Sequence, residues 1–177
     1  RITPNCLGIW KDEHVNGLKN IADRIKSQGA VAGIQIAHAG RKASANRPWE
    51  GDDHIQPTEE KGWQPIGPSA EAFGAHLPVT PTEMSKADIE RVKNDFVKGA
   101  ERALEAGYEW LELHFAHGYL AQSFFSKHAN KRTDEYGGDA QGRGRFLLET
   151  LSAVRAVWPE NLPLTIRFGV IEYDGND

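Results

Sequence analysis

Two histidines three residues apart, His114 and His117, run into Gly118 and Tyr119 in the stretch LELHFAHGYL (111–120). Imidazoles at that spacing beside a phenol suit three chemistries. They can ligate a metal, pack as hydrogen-bonded rings at a wet rim, or donate to an oxyanion while the phenol supplies a proton. A catalytic zinc wants three protein ligands, and the helical His-Glu-x-x-His spacing is absent. His38 would have to serve as the third ligand, and nothing in the sequence obliges it, so no metal is expected. In the clamp reading each preorganised donor lowers a barrier by roughly 3–4 kcal/mol. A phenol with an ordinary pKa of about 10 is a suitable acid toward a strongly basic carbon. Gln35 and Arg167 are two further polar side chains set in apolar segments. Each also has a plain structural reading, the amide on a neighbouring backbone and the guanidinium on an acid.

These residues must be held by regular elements. A helix is predicted over 12–28, with Val15, Leu18, Ile21, Ala22 and Ile25 on one face, Asp12 as cap and Gly29 at its end. The apolar run after it predicts a strand over 31–37, buried on both faces as in parallel sheets. Residues 41–84 show no sustained period and carry six prolines with Trp49 and Trp63. Loops of that length are usually functional or disordered, and the tryptophans argue for an ordered one; a small hairpin around 63–68 fits. Ser85 and Asp88 form a capping-box pattern ahead of an apolar stripe through Ile89, Val92, Phe96, Val97, Ala100, Ala103 and Leu104, ended by Gly107. A second strand follows at 109–114, then irregular chain to 142 with turn chemistry in DEYGG (134–138). A third helix over about 143–157 stops at Pro159, and a third strand covers 163–169.

Helix and strand alternate three times, the α/β pattern of parallel crossovers. The long irregular stretches follow strands, and the returns from helix to strand are short. In a (β/α)8 barrel the loops after the strands build the active-site face. Eight strands and about 250 residues make a complete barrel, whereas three strands are visible here. The expectation is one domain, 1–177, forming part of a barrel whose N- and C-terminal parts are absent. All the candidate groups sit at strand ends, and His114 and His117 converge only if the second strand breaks between them, as side chains alternate along a strand. Gly118 makes that break plausible.

Composition narrows the function. The 177 residues are 39% apolar and 26% charged with a net charge of −4, the profile of a globular protein with no basic, aromatic-interleaved patch for nucleic acid. No apolar run reaches the roughly 18–20 residues that cross a bilayer. The one cysteine, Cys6, excludes a disulfide framework and a Cys-rich metal site; it is expected as a small half-buried side chain.

The segments RITPNCLGIW (1–10), GIQIAHAGRKA (33–43), LELHFAHGYL (111–120) and NKRTDEYGG (130–138) resemble, in order, the old yellow enzyme family of flavin-dependent ene-reductases, and most of all its xenobiotic reductase branch. The resemblance implies a (β/α)8 barrel holding FMN at the C-terminal ends of its strands. It implies NAD(P)H as reductant and a small electron-poor alkene, an α,β-unsaturated carbonyl or nitro compound, as substrate. Residue by residue, Gln35 corresponds to the amide on the flavin pyrimidine edge and Arg167 to the guanidinium beside it. His114 and His117 correspond to the pair that binds the substrate oxygen, and Tyr119 to the tyrosine that protonates the α-carbon or, in some members, only helps to position the substrate. A cytoplasmic setting and room for a homo-oligomer go with the same likeness.

The sequence departs from the family at Phe115, where a small residue is usual and the pocket wall is expected to change. Lys127 stands where a proline is common. Gln141 and Gly142 are expected to weaken the start of the third helix. Two rival readings stay in play. One is a related barrel flavoprotein, a dienoyl-thioester reductase or an amine dehydrogenase. The other is a non-catalytic piece of the barrel, whose open strand edges would invite aggregation.

Overall fold

The computed structural model describes residues 1–172. In chain order the elements are α1 (Val15–Lys26), β1 (Gly33–Ile36), β2 (Ile66–Gly67), β3 (Thr82–Glu83), α2 (Lys86–Glu105), β4 (Trp110–Phe115), α3 (Leu120–Phe125), α4 (Ala140–Val157) and β5 (Leu164–Phe168), with short 3-10 turns between. β1, β4 and β5 form a parallel sheet in that order, so strands adjacent in the alternation are adjacent in space. Among the described residues no helix is long and apolar enough to cross a membrane.

Register divides the sheet into two unlike faces. Gln35 pairs with Glu112, Glu112 with Thr165, and His114 with Arg167. Because side chains alternate, these five share one face, with Gly33 and Trp110 in the same rows. The other face carries Ile36, Leu111, Leu113 and Phe115, all buried and packed with Ile89, Val92 and Phe96 of α2 and with Phe146 of α4. Burying each such side chain stabilises the fold by about 1.5–3 kcal/mol. The apolar layer therefore fixes which side of every strand is polar.

This corrects the expectation that the first strand is buried on both faces. Gly33 and Gln35 are exposed, Ile34 is half-buried and only Ile36 is fully covered. Phe115 follows the same logic. It lies in the packing layer on the face opposite that of His114, 1% exposed and edge-on to Phe96 at 6.2 Å, and the cavity it lines, with Leu147 and Phe168, is on that apolar side.

The helices keep their expected stripes with local changes. In α1, Val15, Leu18 and Ala22 are buried while Ile21 is exposed. Asp12 does not cap it; it begins a 3-10 turn and accepts from Arg102 Nε at 2.7 Å, tying the N-terminal segment to α2. The capping box at α2 is present in full, with the Ser85 hydroxyl accepting from the Asp88 N–H at 3.1 Å and the Ser85 N–H donating to Asp88.

α4 begins at Ala140, three residues before the expected start, because Asp139 accepts from the Gly142 N–H at 2.8 Å. Gly142 does not weaken this start. A Cβ there would lie 2.0 Å from the Gly137 carbonyl oxygen, so the DEYGG turn and the helix can meet only at a glycine. The stretch after β4 also holds a helix, α3, where irregular chain was expected.

The long segment 41–84 is ordered by its own polar contacts. Ser44 Oγ donates to the Ile55 carbonyl and accepts from the Trp63 N–H, and His54 Nδ1 accepts from the Val79 N–H. No hairpin forms near 63–68; β2 pairs in parallel with β3 instead. Trp63 packs beneath the Arg1 guanidinium at 4.3 Å, whereas Trp49 stays 77% exposed. Arg132 joins this segment to the one after α3. Its guanidinium donates to the Pro68 and Met84 carbonyls and to both Asp134 oxygens.

Candidate functional site

β4 ends at Phe115, and the chain then turns through two consecutive left-handed residues, His117 at φ 59° and Gly118 at φ 70°. A strand continuing straight would send residue 117 to the face opposite His114. The turn brings it back. The His114 and His117 rings meet edge to face with centroids 4.9 Å apart, and Tyr119 sets its ring against His114 at 5.0 Å. The three groups expected to act together are together.

The first turn of α3 holds this bend. The Gly118 N–H donates to Gln122 Oε1 at 2.8 Å, and Ser123 Oγ donates to the Gly118 carbonyl at 3.1 Å. Gln122 and Ser123 are both buried, so their rotamers are set by packing. On the other side, the Leu120 N–H donates to the His38 carbonyl. Gly40 (φ 58°) lies so near that a Cβ would sit 2.8 Å from Leu120 Cα. The loops after β1 and β4 are thus in backbone contact, which puts the mouths of the two strands in one place. Lys42, on the β1 loop, lays its ammonium 4.1 Å from the Phe73 ring centre and 5.6 Å from that of Tyr119.

The electrostatics follow from this packing. His114 is 6% exposed, and desolvation, with help from His117 and Arg167, holds its pKa below the ordinary value; Glu112 pulls the other way. Its Nδ1 accepts from the Ala116 N–H at 3.3 Å. Neutral imidazole with Nδ1 as acceptor carries its proton on Nε2, so His114 presents a donor to the site. Burial raises the Tyr119 phenol, aided by Cys6 and Asp52, and keeps it protonated at neutral pH. His117 is exposed at the mouth.

Gln35 and Arg167 flank the pair on the same face and are both exposed. The Gln35 amide is on a side chain rather than a neighbouring backbone: its Nε2 donates to Glu112 Oε1 at 2.6 Å. No acid among the described residues forms an ion pair with Arg167, which its plain structural reading required. His38 goes elsewhere. It belongs with Ile36 to the helix-facing side and lines a cavity of about 510 Å³ against Phe96 and Gly99. Its Nδ1 accepts from the Gly40 N–H, and burial drives its pKa to about 3.

Two contributors were not singled out from sequence: Glu112 and Gln122. For Glu112 a signal existed, since an acid two residues before His114 must share its face. Gln122 offered none, because its role depends on a turn that only the folded chain displays.

A family model described as NADH:flavin oxidoreductase / NADH oxidase matches residues 1–177. An NADPH dehydrogenase of Geobacillus sp. (strain WCH70) is 46% identical over 173 residues, covering 98% of this chain and 45% of that protein. Among solved structures, morphinone reductase in complex with tetrahydroNAD superposes with a TM-score of 0.78 at 30% identity, over 91% of this chain and 45% of that one. The Old Yellow Enzyme from Pichia sp. AKU4542 superposes with a TM-score of 0.75 at 30% identity, over 90% and 41% respectively. The three strands and their helices are thus part of a (β/α)8 barrel. The chain spans somewhat less than half the length of these relatives.

Proposed function

Since the chain belongs to the NADH:flavin oxidoreductase / NADH oxidase family, we propose that it supplies the substrate clamp and part of the FMN face of an NAD(P)H-dependent reductase of electron-poor alkenes. The observation that carries this is the buried His114, whose Nδ1 accepts from the Ala116 N–H and so leaves Nε2 as the ring's donor, with His117 and Tyr119 set around it. Two imidazole donors beside a phenol match the needs of an α,β-unsaturated carbonyl or nitro compound. Its oxygen gains negative charge during reduction and its α-carbon then takes a proton. His114 and His117 donate to the oxygen, and the Tyr119 hydroxyl delivers the proton. Donors fixed in this way act where charge develops, without reorganising at the moment of reaction.

The polar face fits an isoalloxazine ring. Its pyrimidine edge alternates carbonyl oxygens with an N–H, which call for a guanidinium and an amide, and Arg167 and Gln35 are exposed on that face. FMN bound there supplies hydride taken from reduced nicotinamide. A positive charge at Arg167 favours a ring that carries extra electron density. A cytoplasmic setting, a homo-oligomeric assembly and completion of the barrel beyond 1–177 belong to the same reading.

The test is a titration of the full-length, flavin-loaded protein with a para-substituted phenol, whose phenolate mimics an enolate. The wild type should develop a long-wavelength charge-transfer band. His114→Ala should weaken phenol binding by about 10-fold or more, the loss of a hydrogen bond to a charged group. A band that survives undiminished removes the clamp.

A further inference from the structure

Glu112 sits at the centre of the polar face, one row below His114 and between Gln35 and Thr165 in register. It is half-buried and forms no ion pair among the described residues: Gln35 Nε2 donates to Oε1 at 2.6 Å, and Thr165 Oγ1 lies 3.4 Å from Oε2. Trp110 Nε1 in turn donates to Thr165 Oγ1 at 2.9 Å. An indole nitrogen only donates and an ionised carboxylate only accepts. The indole and the carboxylate therefore fix every proton in this four-residue ladder. Thr165 receives from the indole and gives to Glu112, and the Gln35 amide must turn its nitrogen toward the carboxylate.

We propose that Glu112 is a positioning residue that locks the Gln35 amide with Oε1 toward the ligand, so that the site selects a ring edge bearing an N–H. A glutamine alone would not do this. Its two ends are nearly equal in size, and an unrestrained amide offers donor or acceptor as the ligand prefers. With Glu112 beneath it, a flip would press oxygen against carboxylate. Flavin offers one such group, N3–H, between two carbonyls. This inference rests on the reading of Gln35 as a cofactor contact.

The experiment uses full-length apoprotein and measures dissociation constants by flavin fluorescence quenching for FMN and for FMN methylated at N3. Wild type should prefer FMN by at least about 10-fold. Gln35→Ala and Glu112→Gln should each cut that preference severalfold, and the double variant Gln35→Ala/Glu112→Gln should do no worse than either single change. Pairing Gln35→Glu with Glu112→Gln exchanges donor and acceptor within the ladder and still turns an acceptor to the ligand, so the preference should return. Full discrimination in a folded Glu112→Gln protein, or no recovery in a folded swap, overturns the positioning role while the cofactor reading stands. If Gln35→Ala leaves FMN affinity unchanged, the cofactor reading itself fails. The far-ultraviolet melting curve of each apoprotein separates these results from misfolding.

Discussion

His114 and His117 face each other at 4.9 Å only because His117 takes a left-handed backbone, φ 59°, in front of Gly118 at φ 70°. A non-glycine residue there carries strain on the order of 1 kcal/mol, although histidine tolerates the region better than most. Strain kept at an exposed imbedding turn marks a side chain wanted for its chemistry. His117→Gly should therefore leave stability unchanged or raise it by up to about 1 kcal/mol, while weakening phenolate binding. Urea denaturation and the phenol titration measure the two effects separately. A variant that is markedly less stable would show that the imidazole serves packing.

Tyr119→Phe removes a hydroxyl and leaves the ring against His114. The nicotinamide half-reaction needs no proton from this side chain and should proceed at the wild-type rate. Reoxidation by an alkene should slow by about 100-fold or more, the usual scale for a positioned acid. Stopped-flow absorbance of the two half-reactions provides the comparison. Equal losses in both would point to a misplaced ring.

Much of this site was legible in the sequence, for reasons that also explain what was not. Ser85 with Asp88, and the stripe of α2, are local signals, and the structure realises them within a residue or two. The His114–His117 pair could be placed because Gly118 advertises a break. α3 was invisible: Leu120 through Phe124 are all buried, Gln122 and Ser123 included, so that stretch has no exposed side and its sequence no period. The first strand misled in the opposite way. Its apolar letters suggested two covered faces, but Gly33 and Gln35 lie exposed on one of them. Gly142 looked like a helix weakener because the Gly137 carbonyl that excludes any side chain is a tertiary fact.

His38 links pH to stability. Its folded pKa of about 3 lies below the ordinary 6.5, so the unfolded chain binds the proton more readily. The stabilisation from neutral His38 is therefore fully present above about pH 6.5 and is lost progressively as pH falls toward 3. His38→Asn keeps an acceptor for the Gly40 N–H and removes the titration. The variant should show a shallower fall in unfolding free energy between pH 6.5 and 4 than wild type, measured by urea denaturation at several pH values. Parallel curves would mean that carboxylates alone account for the acid sensitivity.

Arg132 is the joint between the two irregular segments that frame the site. Its side chain is 5% exposed, and it spends Nη1 on the Pro68 and Met84 carbonyls and its Nε and Nη2 on Asp134. Lysine cannot reproduce this, since a single ammonium lacks the planar fork that reaches carbonyls and carboxylate together. Removing one member of a buried ion pair costs about 3–5 kcal/mol, chiefly through the partner left unpaired. Arg132→Ala should cost that much, and Arg132→Lys most of it. The Asp134 carboxyl, held below its usual range first by its bonds to Arg132, should return toward an ordinary pKa. Adding Asp134→Asn to Arg132→Ala should recover part of the loss, because no charge then remains unpaired. Hydrogen exchange should show where the energy was held, with faster exchange at the Met84 and Lys131 amides, which are bonded to Gly67 and Ser69. A loss confined to global stability, with those amides still protected, would place the role of Arg132 elsewhere than in joining the loops.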